Sequence, residues 1–194
     1  MLATRTKRGI GILALALVSI FSSTIVASAH GYVNSPSSRQ IWCKNNHTCG
    51  AIQWEPQSVE GPKNFPNGGP ADGKICSGGL SQFAELDNPT GYAWPRAKIS
   101  QGTRQFTWNF TAMHATTSYR YFITKPGWTG TQKLTRSALN LTPITDIKKN
   151  GARPGATETH NVSIPAGSGK ALILAVWDIA DTGNAFYSCI DVTY

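Results

Sequence analysis

The chain has 194 residues, with 18 Lys and Arg against 10 Asp and Glu, a formal net charge of +8, and 40% hydrophobic residues. That length suits one domain with a sizeable core and is short for two. The basic residues are scattered and form neither a stripe nor a nucleic-acid motif, which argues against a nucleic-acid partner and leaves an uncharged partner as suitable as an acidic one.

In chain order, the first segment has a basic start at Arg5, Lys7 and Arg8, an apolar run from Ile10 to Phe21, and small residues at Ala27 and Ala29. This is the pattern of a secretory signal peptide cut after Ala29. A membrane-spanning helix wants about 20 consecutive apolar residues, and Ser19, Ser22, Ser23 and Thr24 interrupt this run. The expectation is a signal peptide over residues 1–29, a single domain over 30–194, and a secreted, extracellular product with no membrane contact after cleavage. The leader holds three basic residues and no acidic one, so the mature chain is only mildly basic. Cleavage would place an α-amine and an imidazole on one terminal residue, His30, and two nitrogen donors so joined form a chelate suited to copper.

After His30, Gly31 to Val33 reads as a short strand entering a turn at Asn34-Ser35-Pro36. From Cys43 to about Pro95, Gly, Pro, Asn and Ser are dense and no apolar period lasts. An irregular insertion of roughly 50 residues is far longer than the usual connection of about 4 to 6, and such loops are usually functional. Short helical turns are expected around Gln57–Glu60 and Leu80–Leu86. From Arg104 the pattern becomes β: Phe106, Trp108 and Phe110 alternate with polar residues, and Tyr119–Thr124, Thr159–Ile164, Ala171–Ile179 and Phe186–Tyr194 follow as strands. These features predict an all-β fold, an antiparallel β-sandwich carrying a large loop and short-helix insertion.

All four cysteines, Cys43, Cys49, Cys76 and Cys189, follow the cleavage site. An even count in a secreted chain argues for two disulfides, and no C-x-x-C or His pair at ligand spacing supports zinc. Three pairings are open. Cys43–Cys49 closes a small local loop, and Cys76–Cys189 would then tie the middle of the chain to its last strand. Sequons occur at Asn46, Asn109, Asn140 and Asn161, acceptors only in a eukaryotic host; Asn109 and Asn161 fall in predicted strands, which favours Asn46.

Of the four histidines, His47 and His160 read as ordinary surface or core residues. His114 follows the strand ending at Ala112, in a loop of small residues, where its imidazole could reach His30. Three nitrogens in a T suit copper better than zinc. The few acids near aromatic or glycine-rich segments, Glu55, Glu60, Asp178 and Asp181, show no spacing that supports a paired-carboxylate glycosidase, and no G-x-S-x-G elbow supports a serine hydrolase.

The strings HGYVNSPSSR, WEPQSVEGPKNFP, GPADGKI, TWNFTAMHATTSYRYFITKPGW and ILAVWDIADTGNAFY resemble the auxiliary-activity family 10 lytic polysaccharide monooxygenases, chitin-active copper enzymes, over essentially all of residues 30–194. The resemblance implies a fibronectin III/immunoglobulin-like sandwich and one copper ion in a histidine brace made by the His30 amine and imidazole with His114. It implies Phe186 at the axial position, Ala112 over the opposite approach, and Glu60 as the carboxylate that hydrogen-bonds the bound oxygen species or water. Asp181 and Asn184 should lie on a flat rim. Trp54 should stack on a sugar ring, with Glu55, Gln57, Ser58 and Thr111 around it. Trp54 stands where several members carry tyrosine, and Met113 where some carry a polar or basic residue. Cys76 and Cys189 align with small residues in relatives that lack both, which supports their pairing. The implied activity is oxidative cleavage of β-1,4 bonds in crystalline chitin, with cellulose second. It would use an external small-molecule or protein electron donor with O2 or H2O2 as co-substrate, in a monomer bound to insoluble polysaccharide. The rival readings are a non-catalytic chitin-binding defence or adhesion protein and a copper carrier.

Overall fold

The computed structural model describes residues 29–194; the signal-peptide expectation over the preceding residues lies outside them. Among the described residues, nine strands and one α-helix carry the fold: β1 (His30–Ser35), α1 (Arg39–Asn45), β2 (Glu60–Pro62), β3 (Ala97–Lys98), β4 (Gly102–Ala112), β5 (Thr116–Ile123), β6 (Thr145–Lys148), β7 (Thr157–Ile164), β8 (Lys170–Ile179) and β9 (Asn184–Thr193). They form two sheets, β1-β4-β7 and β2-β9-β8-β5-β6, antiparallel except that β3 pairs parallel with β9. This is the predicted β-sandwich.

The sequence pattern explains each layer. On β4 the inward residues Phe106, Trp108 and Phe110 are buried, while Thr107 and Asn109 between them are half-buried and Gln105 and Thr111 beside them are exposed, as a sheet with one solvated face requires. Between the sheets these rings meet Tyr119, Tyr121, Val162, Ile173, Ala175, Trp177, Phe186 and Ile190. β8 is apolar from Ala171 to Trp177 because both of its faces are covered: Leu172, Leu174 and Val176 belong to a second core formed with the insertion, among Ile52, Val59, Phe65, Ile75, Phe83 and Leu86. The long loop region is therefore a packed layer on the outer face of the larger sheet.

Two expectations in this region are corrected. Gln57–Glu60 is not helical; Glu60 begins β2, because its backbone pairs with β9 at Glu60↔Phe186. The helical turns fall instead at α1, at Gly50–Gln53 and at Ser81–Asp87, the last over the expected Leu80–Leu86. The insertion is also not wholly irregular, since β2 lies within it.

Disulfides join Cys43 to Cys49 and Cys76 to Cys189. A buried ion pair adds a further tie: Arg39 on α1 donates to Asp191 on β9 at 2.7 Å, donates to the Leu86 carbonyl at 2.7 Å, and stacks its guanidinium 4.8 Å from the Trp94 ring. Asp178 is likewise structural, buried and bonded twice to Arg120.

Candidate functional site

One end of the sandwich collects the residues that the sequence singled out. The β1–β4 register sets His30 opposite Ala112, and the chain then turns through Met113 and His114 into β5. At the same end β8 runs out at Ile179, opposite Thr116, and β9 begins at Asn184. The β2–β9 register sets Glu60 opposite Phe186, and directly opposed residues of an antiparallel pair share a face. The Phe186 ring lies 6.4 Å from the His30 ring, tilted by 52°, and its far side packs on Trp177 at 5.1 Å. An apolar ring thus closes the interior side of His30.

His114 is only 3% exposed. Its Nδ1 lies 2.7 Å from Asp181 Oδ1, yet neither ring nitrogen has a hydrogen-bond partner; the carboxylate sits off the line along which a ring N–H donates. A buried imidazole nitrogen left without a partner is costly, and a metal ion is the ligand that resolves such a cost without a proton. His30 is half-buried. In the chain as written, residue 29 precedes His30, so the His30 nitrogen is a peptide amide. Among the described residues no group of three or more His, Cys, Asp or Glu side chains could hold a metal. Two imidazoles completed by an amine would not register as such a group, and the donor set fits copper.

Around these groups Asn184 Nδ2 donates to Glu60 Oε1 at 2.8 Å. One carboxylate oxygen of Glu60 is thereby engaged and its plane oriented. Glu60 and Asn184 border an open cleft of about 720 Å3 that continues past Gly78, Gly79, Lys74 and Gln82. Gly31 N donates to the Gln57 carbonyl at 3.1 Å, which fastens the first strand to the loop bearing Trp54, Glu55, Gln57 and Ser58. Trp54 is 71% exposed, an expensive position for an indole with no partner surface. Thr111, Met113, Asp181 and Asn184 are exposed as well.

Sequence reasoning set two histidines aside. His160 is buried in the sandwich core, its Nδ1 2.6 Å from the Tyr121 hydroxyl. His47 differs: its ring lies 6.4 Å from that of Trp54, so the small Cys43–Cys49 loop brings an exposed imidazole to the exposed indole. Only the disulfide position hinted at this. Of the sequons, Asn46, Asn140 and Asn161 are exposed, and Asn109 is half-buried on β4.

The fold is the immunoglobulin-like β-sandwich seen in solved family 10 lytic polysaccharide monooxygenases. A family profile described as "Lytic polysaccharide mono-oxygenase, cellulose-degrading" matches residues 30–192, and the chain belongs to that family. It is similar to an AA10 lytic polysaccharide monooxygenase from Streptomyces lividans, with 54% identity and a TM-score of 0.82 over 85% of this chain and 100% of that one. It is also similar to a Bacillus amyloliquefaciens CBM33 solved in complex with Cu(I), with 36% identity and a TM-score of 0.76 over 84% of this chain and 99% of that one. Among curated proteins, GlcNAc-binding protein A of Shewanella oneidensis is 47% identical over 178 residues, 89% of this chain. The chain spans 38% of that protein's length.

Proposed function

We propose that the protein is a secreted, copper-dependent lytic polysaccharide monooxygenase that cleaves β-1,4 glycosidic bonds of crystalline chitin, with cellulose as the second substrate. The single observation that carries the reading is the buried His114 imidazole, with neither nitrogen hydrogen-bonded, on the turn beside His30. The family profile and the Cu(I)-bound neighbour support copper as the ion. The name of the Shewanella relative favours a GlcNAc polymer, and the family description keeps cellulose in view.

His30 and His114 would hold the metal, with the α-amine freed by cleavage after Ala29 as the third donor. Copper held there, with an external electron donor and O2 or H2O2, would supply the oxidising chemistry for hydrogen abstraction at C1 or C4 of the sugar. The chain's own groups do the positioning. Phe186 and Trp177 keep the interior side dry, so electrostatic interactions within the site are strengthened. Glu60, oriented by Asn184, would present its second oxygen as an acceptor toward the site that His30 and His114 form. Ala112, opposite His30 in the register, leaves room for the co-substrate. Trp54 supplies a stacking face, with Glu55, Gln57, Ser58 and Thr111 as hydrogen-bonding groups around it and Asp181 and Asn184 on the rim. An exposed surface of this kind suits a crystal plane, and positioning of this kind is what raises an effective molarity.

Protein beginning at His30, loaded with copper and given ascorbate and β-chitin or cellulose, should release oxidised oligosaccharides detectable by mass spectrometry. Lactones or aldonic acids would mark attack at C1, and ketoaldoses attack at C4. Chelator, or His30→Ala, should abolish release. Tight chitin binding without oxidised products would instead establish a non-catalytic binding protein, and hydrolytic products would refute the copper mechanism.

A further inference from the structure

β2 has only three residues, and a strand that short depends on its neighbours for its place. It nevertheless carries Glu60. On one flank its backbone pairs with β9, and Tyr187 N adds a bond to the Val59 carbonyl at 3.0 Å. The other neighbour is the turn 76–79, which meets β2 backbone to backbone. A Cβ built on Gly78 would stand 2.7 Å from the Glu60 carbonyl oxygen and 3.1 Å from its carbon, and one built on Gly61 would collide with the Gly78 carbonyl. Gly78 also has φ +68, a conformation L side chains rarely adopt.

The same turn is tied down twice more. Asp87 Oδ1 accepts from the backbone N–H groups of Cys76 at 2.9 Å and Ser77 at 3.2 Å. Cys76 is bonded to Cys189, three residues beyond Phe186 on β9. Three segments therefore close a triangle: β2 is hydrogen-bonded to β9, β9 is covalently joined to the turn, and the turn rests on the Glu60–Gly61 peptide. Both sulfurs belong to residues only 1% exposed, so this bond is a fixed brace rather than a thiol switch.

We infer that Gly78 and the Cys76–Cys189 disulfide are positioning residues for Glu60, a staple that holds its carboxylate in reach of Asn184 and beside Phe186. The inference rests on the role given above to Glu60, but its test does not need that role to be right.

The readout is the side-chain amide signal of Asn184 in metal-free, 15N-labelled protein, with Glu60→Ala marking the position of the signal once the hydrogen bond is gone. Gly78→Ala and the pair Cys76→Ala/Cys189→Ala should move the signal toward that position. The controls share the stability cost without the contact. Gly73 has φ +78, yet a Cβ there meets only the flexible Lys133 side chain at 3.6 Å, and Cys43–Cys49 lies elsewhere in the insertion. Gly73→Ala and Cys43→Ala/Cys49→Ala should lower Tm and leave the signal in place. With copper, the first set should lose about tenfold or more in oxidised-product release at unchanged copper affinity. An Asn184 signal that stays put in Gly78→Ala while Tm falls overturns the inference. If the double cysteine variant does not fold, the Gly78 and Gly73 pair decides. Absence of oxidised product from the unmodified protein would sink the proposed function alone.

Discussion

At the scale of single residues, His160 shows how a buried polar group is carried inside an apolar sandwich. Trp108 Nε1 donates to the Tyr121 oxygen at 3.0 Å, and that hydroxyl lies 2.6 Å from His160 Nδ1. On the other side of the ring, His160 Nε2 lies 3.3 Å from Glu158 Oε1. Burial pulls the His160 pKa below 6.5, against an opposing pull from Glu158. The folded state therefore binds this proton less readily than the unfolded chain. Its contribution to stability is complete above pH 6.5 and is lost as pH falls below that value. Glu158 is opposed by burial but held below 4.5 by Lys149 and His160, so its contribution is lost as pH falls further. Urea midpoints should drop between pH 7.5 and pH 5, and the drop should shrink in His160→Gln. Two further predictions belong to this scale. Trp54→Ala should weaken adsorption to chitin by about 1–2 kcal/mol, on the order of tenfold in Kd, with Tm unchanged, because the indole touches little of the fold. One residue left before the mature His30 should weaken copper binding sharply in a titration, since an amide nitrogen cannot replace the amine.

At the scale of elements, the site depends on registers. His30↔Ala112 and Glu60↔Phe186 are backbone pairings, and a slip of one residue would turn each side chain to the opposite face. The clear alternation in β4 made the strand and its inward face readable, and the apolar run made β8 readable as a strand covered on both faces. β2 and β6 were invisible to the same reading because three or four residues show no period, and their pairing partners are distant in the chain. α1 escaped notice for a related reason. Its buried face includes Arg39 and Gln40, polar residues that look solvent-facing until Asp191 and the Tyr187 carbonyl receive them. Asp191→Asn leaves the Arg39 charge buried without its counter-charge, and should cost about 3–5 kcal/mol in denaturant unfolding.

At the scale of the whole molecule, two cores lie on either face of one central sheet. Trp177 joins the inner core to the site, touching Phe186, Phe110 and Trp108 and donating Nε1–H to Thr116 Oγ1 at 2.8 Å. Trp177→Ala should destabilise the protein by about 3–5 kcal/mol, and copper affinity should fall with it because Phe186 loses its backing. Trp108→Ala, which leaves the Phe186 contact in place, should cost similar stability with a smaller loss of copper affinity.

The sequence alone determined the sandwich, because period-2 alternation and fully apolar runs record which faces of a strand are covered. It also read the four cysteines as two disulfides while leaving their pairing to the structure, and it singled out His30 and His114 through residue type and the cleavage pattern. Only the tertiary structure decided that the long insertion is a packed layer and that His47 stands beside Trp54. The support of Glu60 by Asn184, β9 and the turn at Gly78 was likewise beyond the sequence. Glu60 and Asn184 lie 124 residues apart in the chain, and no local period or spacing encodes which distant backbone will come to rest against another.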